Sequence, residues 1–284
     1  MNGTSRKVFV CLGLQRSGNH AVLDWVGSLF PAVAFHNDQP HDLFADPDRL
    51  RALLEAEGAP ATIFSFEDSA NRTPVAGQPL LDSVAPFPAD AFPDIALHRL
   101  VILRDPYNTW ASRVAANARA DTLARRLTSD PSWPLFRDNW LALAALQADP
   151  GWQGVLFNRW KDDAGYRRTL CAAFGGSYSE ATLDAIPRQG GGSSFDGVPR
   201  PSYGRMAAQW RKYVSAAFLR RLVSHPGHYL KRFVTPPLSG RDLQVDLRWK
   251  TLVGRPEGTA ILSDRILHST ATGIFGASSL PPAP

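Results

Sequence analysis

Gly13-Leu14-Gln15-Arg16-Ser17-Gly18-Asn19-His20 decides how the rest of this 284-residue chain is read. Upstream, Lys7 to Leu14 is a β-branched and apolar run, the composition of a buried strand. Downstream, Ala21-Val22, Trp25-Val26 and Leu29-Phe30 recur at helical spacing until Pro31. The glycine-bearing segment therefore joins a strand directly to a helix. At such a junction the first helical amides and the backbone of the turn can cradle an anion.

The glycine spacing is that of the Walker A loop, G-x-x-x-x-G, but Asn19 and His20 stand where that loop carries its lysine and its serine or threonine. The lysine neutralises phosphate charge and the hydroxyl holds Mg²⁺. Without them the turn remains a phosphate cradle that lacks the usual Mg²⁺ ligand. A bare structural turn is the plainer reading, and a second junction argues against it.

That junction is Leu103-Arg104-Asp105-Pro106, which ends a strand read over Leu97 to Leu103 and opens a helix from about Tyr107. Ser112 follows Arg104 by eight residues. At about 1.5 Å rise per residue, a long arginine side chain leaning along the helix can reach that serine. The pair can then converge on one phosphate. Asp105-Pro106 alone needs no ligand, because it serves as a helix cap and first turn.

Together the two segments resemble the sulfotransferases that use 3′-phosphoadenosine-5′-phosphosulfate (PAPS). Gln15, Arg16, Ser17, Gly18, Asn19 and His20 fall on that family's 5′-phosphosulfate loop, with Asn19 and His20 replacing its usual hydroxyl pair. Arg104 and Ser112 fall on its 3′-phosphate motif. The resemblance implies a three-layer P-loop-type α/β fold with a central parallel sheet, PAPS as co-substrate, 3′-phosphoadenosine-5′-phosphate (PAP) as product, and no required metal. It implies that Arg16 faces the oxygen bridging phosphate and sulfate, where charge grows as the S–O bond breaks. Phe157 falls near the family's adenine-side turn, and Ser193, Ser194 and Arg205 fall where a loop closes over the 3′-phosphate. The Arg-Lys-Gly element at the C-terminal end of cytosolic members is absent.

Transfer to a hydroxyl needs a base, and in parallel sheets such groups sit at the C-terminal ends of strands. Glu67 follows the strand read over Ala61 to Phe66 and is the first choice for that base; His36 is the second. The acceptor is expected to be a hydroxyl of a glycan or glycolipid, or of a small phenolic or secondary metabolite. Trp133 and Trp152, read as exposed, favour the glycan. A P-loop kinase or NTPase, and a nucleotide-binding module without chemistry, remain the competing readings.

Alternation of strands and helices along the rest of the chain predicts crossovers over a parallel sheet. Further helices are read near 46–57, 135–147 and 164–174, with a fourth strand over Gly154 to Asn158. Two short helices follow a Gly/Ser/Pro-rich stretch, near 205–213 and 215–223. The α/β domain is expected to span residues 1–250, with a partly disordered extension over 251–284 that frays from Gly273.

Hydrophobic residues make up 44% and charged residues 20%, enough for one ordinary core. The net charge of +5 comes mostly from dispersed arginine, with no basic run, which suits a phosphate-rich pocket better than nucleic acid. Two cysteines and seven histidines form no metal-binding spacing, and Cys11 and Cys171 read as core residues. The polar start and short apolar stretch predict no secretory leader, no membrane span and a cytoplasmic chain.

Overall fold

The computed structural model describes residues 6–69, 77–117, 132–183 and 245–284. Its frame is a five-stranded sheet of β1 (Arg6–Gly13), β2 (Val33–His36), β3 (Ala61–Glu67), β4 (Ile95–Leu103) and β5 (Gln153–Leu156), ordered β2-β3-β1-β4-β5. Every adjacent pair is parallel. β1 lies in the centre, so the chain leaves it toward one edge and later returns to its other side. The crevice outside the carboxyl ends of β3, β1 and β4 is where such a sheet accommodates ligands.

Both faces of the sheet are covered, and β1 shows how. Val8, Val10 and Leu12 point to one face, and Phe9 and Cys11 to the other, all of them buried. The first face packs under α2 (Pro47–Glu57), the short α3 (Leu80–Ser83), α4 (Pro106–Asn117) and α5 (Trp133–Gln147), through Leu50, Leu54, Leu80, Trp110, Phe136 and Trp140. On the second lie α1 (Asn19–Ser28) and α7 (Ala164–Phe174), contributing Val22, Trp25, Val26, Leu170 and Phe174. The result is the three-layer, P-loop-type α/β arrangement. Cys11 and Cys171 are free and buried. His98 stacks on Phe9 at 4.7 Å, as a residue of the core.

Several elements differ from the sequence reading. β2 went unread because four residues after Pro31 carry little periodicity; pairing with β3 makes it a strand. The fourth sequence-read strand ends early, at Leu156, and Phe157–Asp162 turns into the short helix α6. An apolar run such as Val155 to Phe157 does not distinguish the two states. Here the Tyr166 hydroxyl accepts from the Leu156 amide at 3.1 Å and donates to the Gly154 carbonyl at 2.9 Å, tying the strand end to α7.

Helices continue to Phe275. α8 (Pro256–Ser263) and α9 (Arg265–Phe275) place Ile261, Leu267 and Ala271 in the same core as α4 and α5. Side chains of α4 hold this segment: the Asn108 Oδ1 accepts from the Trp249 amide at 2.9 Å, and Trp110 Nε1 donates to the Glu257 carbonyl at 2.8 Å. Trp133 and Trp152 are half-buried against this core, and Trp133 lies 5.4 Å from Trp110. That placement removes them as support for a glycan acceptor. Among the described residues no helix is long and apolar enough to cross a membrane. The helices read near 205–213 and 215–223 lie outside the described residues.

Candidate active site

The turn between β1 and α1 is built on two left-handed residues, Arg16 at φ 70° and Gly18 at φ 92°. Gly18 is required twice over, because a Cβ there would also meet the Phe157 ring at 2.3 Å. Arg16 has no such exemption, and a non-glycine residue held in this region costs about 1–3 kcal/mol. Its side chain is exposed at the mouth of the turn. The Ser17 amide closes the turn on the Leu14 carbonyl at 3.1 Å.

Four other helices are capped by aspartate: Asp46, Asp105, Asp163 and Asp264 accept from the amides of Arg49, Asn108, Tyr166 and Leu267. α1 is not. Its N-cap is Gly18, no side chain accepts there, and its first turn has no acidic residue. The Ala21 amide turns back on the Gly18 carbonyl at 3.1 Å, and the uncapped amides ahead of it, at Asn19 and His20, are placed to meet an external anion.

Asn19 explains the departure from the Walker pattern. Its Nδ2 donates to the Leu14 carbonyl at 3.1 Å and to Glu67 Oε1 at 2.9 Å, while its Oδ1 accepts from the Ser17 hydroxyl at 2.6 Å. Both amide hydrogens are thus used inside the protein, and the side chain braces the turn from beneath. Gly13 permits this, since a Cβ there would lie 2.1 Å from Asn19 Oδ1. A lysine at position 19 would lack the acceptor that Ser17 uses.

Glu67 is the last residue of β3, opposite Gly13 in the register and nearly buried. Burial pushes its carboxyl up to about 7; Asp38 and Asp68 add to that rise, while the Asn19 bond and Arg113 oppose it. His20 Nε2 stands 3.9 Å from Glu67 Oε1. Burial and then Arg16 hold the His20 imidazole below its ordinary range, which favours its neutral form. A carboxyl that titrates near neutrality is suited to accept a proton. His41 fixes the strand end, its Nε2 lying 2.8 Å from the Glu67 carbonyl oxygen.

Arg104 leaves the end of β4 buried, only 5% exposed. Its Nη1 lies 3.3 Å from the Arg16 carbonyl and 3.5 Å from Ser112 Oγ, and its guanidinium sits 5.3 Å from the centre of the Phe157 ring. The arginine and serine therefore do meet, one helical face above the turn. Asp105 caps α4 through the Asn108 amide at 2.8 Å, and it also accepts from Asn158 Nδ2 at 3.0 Å. Asn158 donates and accepts across this corner, a brace the sequence reading passed over as part of a strand.

These distances bring Gln15 to His20, Glu67, Arg104, Ser112 and Phe157 to one end of the sheet. His36 is not among them. It faces Phe64 three residues before the end of β3, stacks on that ring at 4.9 Å, and pairs with Glu57 at 3.7 Å. Ser193, Ser194 and Arg205 lie outside the described residues. Asp68 and Arg113, not singled out for the site by sequence, reach into the turn; Asp68 Oδ1 accepts from the Gln15 amide at 2.8 Å.

No protein-family model and no curated protein matches the chain. Among solved structures, it is similar to mouse sulfotransferase SULT7A1 complexed with PAP, at 13% identity and a TM-score of 0.40. The match covers 76% of this chain and 81% of the mouse protein.

Proposed function

We propose that this chain is a sulfotransferase that uses PAPS and delivers its sulfuryl group to a hydroxyl acceptor. The observation that carries the reading is the meeting of the two strand–helix corners. Arg104 Nη1 stands between Ser112 Oγ and the carbonyl of Arg16, so the two strand–helix corners meet through one side chain. A ligand with phosphates at both ends of a nucleoside suits that pairing better than a linear triphosphate does. The uncapped start of α1 would hold the 5′ end, Arg104 and Ser112 the 3′-phosphate, and Phe157 the wall between them. When bound, PAPS would supply the activated sulfuryl group.

Arg16, at the crest of the turn, would offset the charge that develops on the leaving phosphate oxygen. Glu67, at the adjoining strand end, would take the proton of the acceptor hydroxyl. Asn19 and Ser17 support this by shape, holding the turn and one carboxylate oxygen of Glu67. The acceptor belongs to the class of glycan, glycolipid or small phenolic hydroxyls.

The test is a thermal-shift comparison of PAP, ADP and ATP, with Mg²⁺ and with EDTA. PAP at about 100 times its Kd is expected to stabilise the fold by roughly 2.7 kcal/mol in EDTA. Equal stabilisation by ATP with Mg²⁺, and no preference for PAP, would favour the kinase reading instead. Arg104 offers a finer check. Arg104→Ala is expected to weaken PAP by about 1.5–3 kcal/mol, the worth of a charge-assisted contact, with a smaller loss for adenosine 5′-phosphosulfate, which lacks the 3′-phosphate. Isothermal titration of both ligands measures this, and equal losses would assign Arg104 to the support of Arg16 alone.

A further inference from the structure

Arg16 is held in a left-handed conformation without glycine's freedom, so its surroundings must impose it. The backbone angles of Arg16 are the rotation between two peptide planes, Gln15–Arg16 and Arg16–Ser17. Both planes are pinned. Arg113 Nε donates to the Gln15 carbonyl at 3.1 Å, which fixes the first. The Arg16 carbonyl lies 3.3 Å from Arg104 Nη1 and the Ser17 amide donates to Leu14, which fixes the second.

Asp68 completes the arrangement. One of its oxygens accepts the Gln15 amide at 2.8 Å, and both accept from Arg113 Nη2. The pair is well buried, with 11% of the Arg113 side chain and 4% of the Asp68 side chain exposed, and the Arg113 guanidinium lies 5.0 Å from the Phe136 ring centre. A buried ion pair is commonly no more stabilising than apolar packing of the same volume. This pair instead holds one residue, Gln15, through the peptide group on either side of it: at its N–H through Asp68 and at its C=O through Arg113.

We infer that Asp68 and Arg113 are positioning residues that clamp Gln15 and thereby set the backbone of Arg16 in the anion-binding turn. The inference rests on the reading of the turn as an anion site, but not on the identity of the anion. Arg113 is adjacent to Ser112, so one turn of α4 serves both the Arg104 corner and the Arg16 corner. Lysine cannot replace Arg113 here, because a single ammonium does not offer Nε to one oxygen and Nη2 to a carboxylate in a fixed plane.

The experiment uses the full chain, with inorganic pyrophosphate and PAP as probes and amide hydrogen exchange at Gln15 and Ser17 as a ligand-free readout. Asp68→Asn and Arg113→Met are each expected to speed exchange at both amides at least tenfold and to weaken pyrophosphate at least tenfold, in protein that circular dichroism shows folded. Arg113→Lys is expected to rescue neither. Should Arg113→Met not fold, the isosteric Asp68→Asn carries the test. Unchanged exchange and affinity in the folded variants, or full rescue by Arg113→Lys, overturns the clamp. Wild-type protein that binds pyrophosphate with no preference for PAP removes the sulfotransferase reading and leaves the clamp standing. Wild-type protein that binds neither probe removes the anion site and the clamp's role with it.

Discussion

Arg16→Ala is expected to lower kcat by about 10²–10³ with a much smaller change in PAP affinity. The asymmetry follows from when the charge appears. On the proposed reading the bridging oxygen carries little charge before the S–O bond breaks, and the α1 amides with Arg104 and Ser112 would supply most of the ground-state binding. As the bond breaks, charge grows where a guanidinium at the crest of the turn can meet it. Arg16 is exposed in the structure, so its removal leaves no cavity. Alanine also inherits the left-handed backbone at φ 70°, so Arg16→Gly serves as the control that relieves this strain. Both variants should lose kcat alike. Single-turnover kinetics with labelled PAPS separate the two quantities, and an equal loss of affinity and kcat would assign Arg16 to binding.

Glu67→Gln keeps the shape of the strand end and removes the proposed base, so turnover is expected to fall by about 10²–10⁴ while PAP binding persists. The Asn19 Nδ2 bond survives, since the glutamine Oε1 also accepts. Wild-type turnover should rise with pH through about 7, because only the ionised carboxylate takes a proton and burial has moved its titration there. The sign for stability is opposite. A carboxyl with a raised pKa in the fold is most stabilising while protonated, and that contribution is lost as pH rises from the unfolded value through about 7. Glu67→Gln should therefore gain melting temperature relative to wild type at pH 8 and little at pH 5. A variant with full kcat would transfer the base to another group, with His20 beside Glu67 as the next to test.

The central strand, the turn and the helix after it were legible because each obeys a local rule. Lys7 to Leu14 reads as a strand buried on both faces, Gly18 marks a backbone that needs left-handed freedom, and the apolar spacing of Val22, Trp25 and Val26 is helical. The Arg104–Ser112 approach was also legible, since eight residues along a strand end and one helix fix a distance with no knowledge of the fold. β2, α6 and the packed helices α8 and α9 were not. Each is short or weakly periodic, and each owes its state to a partner: β3 for β2, Tyr166 for the end of β5, and α4 for the chain after residue 245.

By itself the sequence determined the strand–turn–helix units, the parallel sheet and the two strand–helix corners that carry Arg16 and Arg104. These follow from periodicity, caps and spacings within about twenty residues. Only the tertiary structure decided what the polar side chains do. Asn19 could donate to a phosphate or brace the turn, and the nearness of Glu67, 48 residues away, selects the brace. Sequence ranks Glu67 ahead of His36 as the base without placing either; the register sets Glu67 at the end of β3 and His36 opposite Phe64, three residues short of it, against Glu57. Asp68 and Arg113 gave no local signal, because the residue they hold, Gln15, lies 53 and 98 residues away along the chain. A side chain's hydrogen-bond partner is a matter of distance in space, and sequence spacing reports that distance only within one helix or one turn.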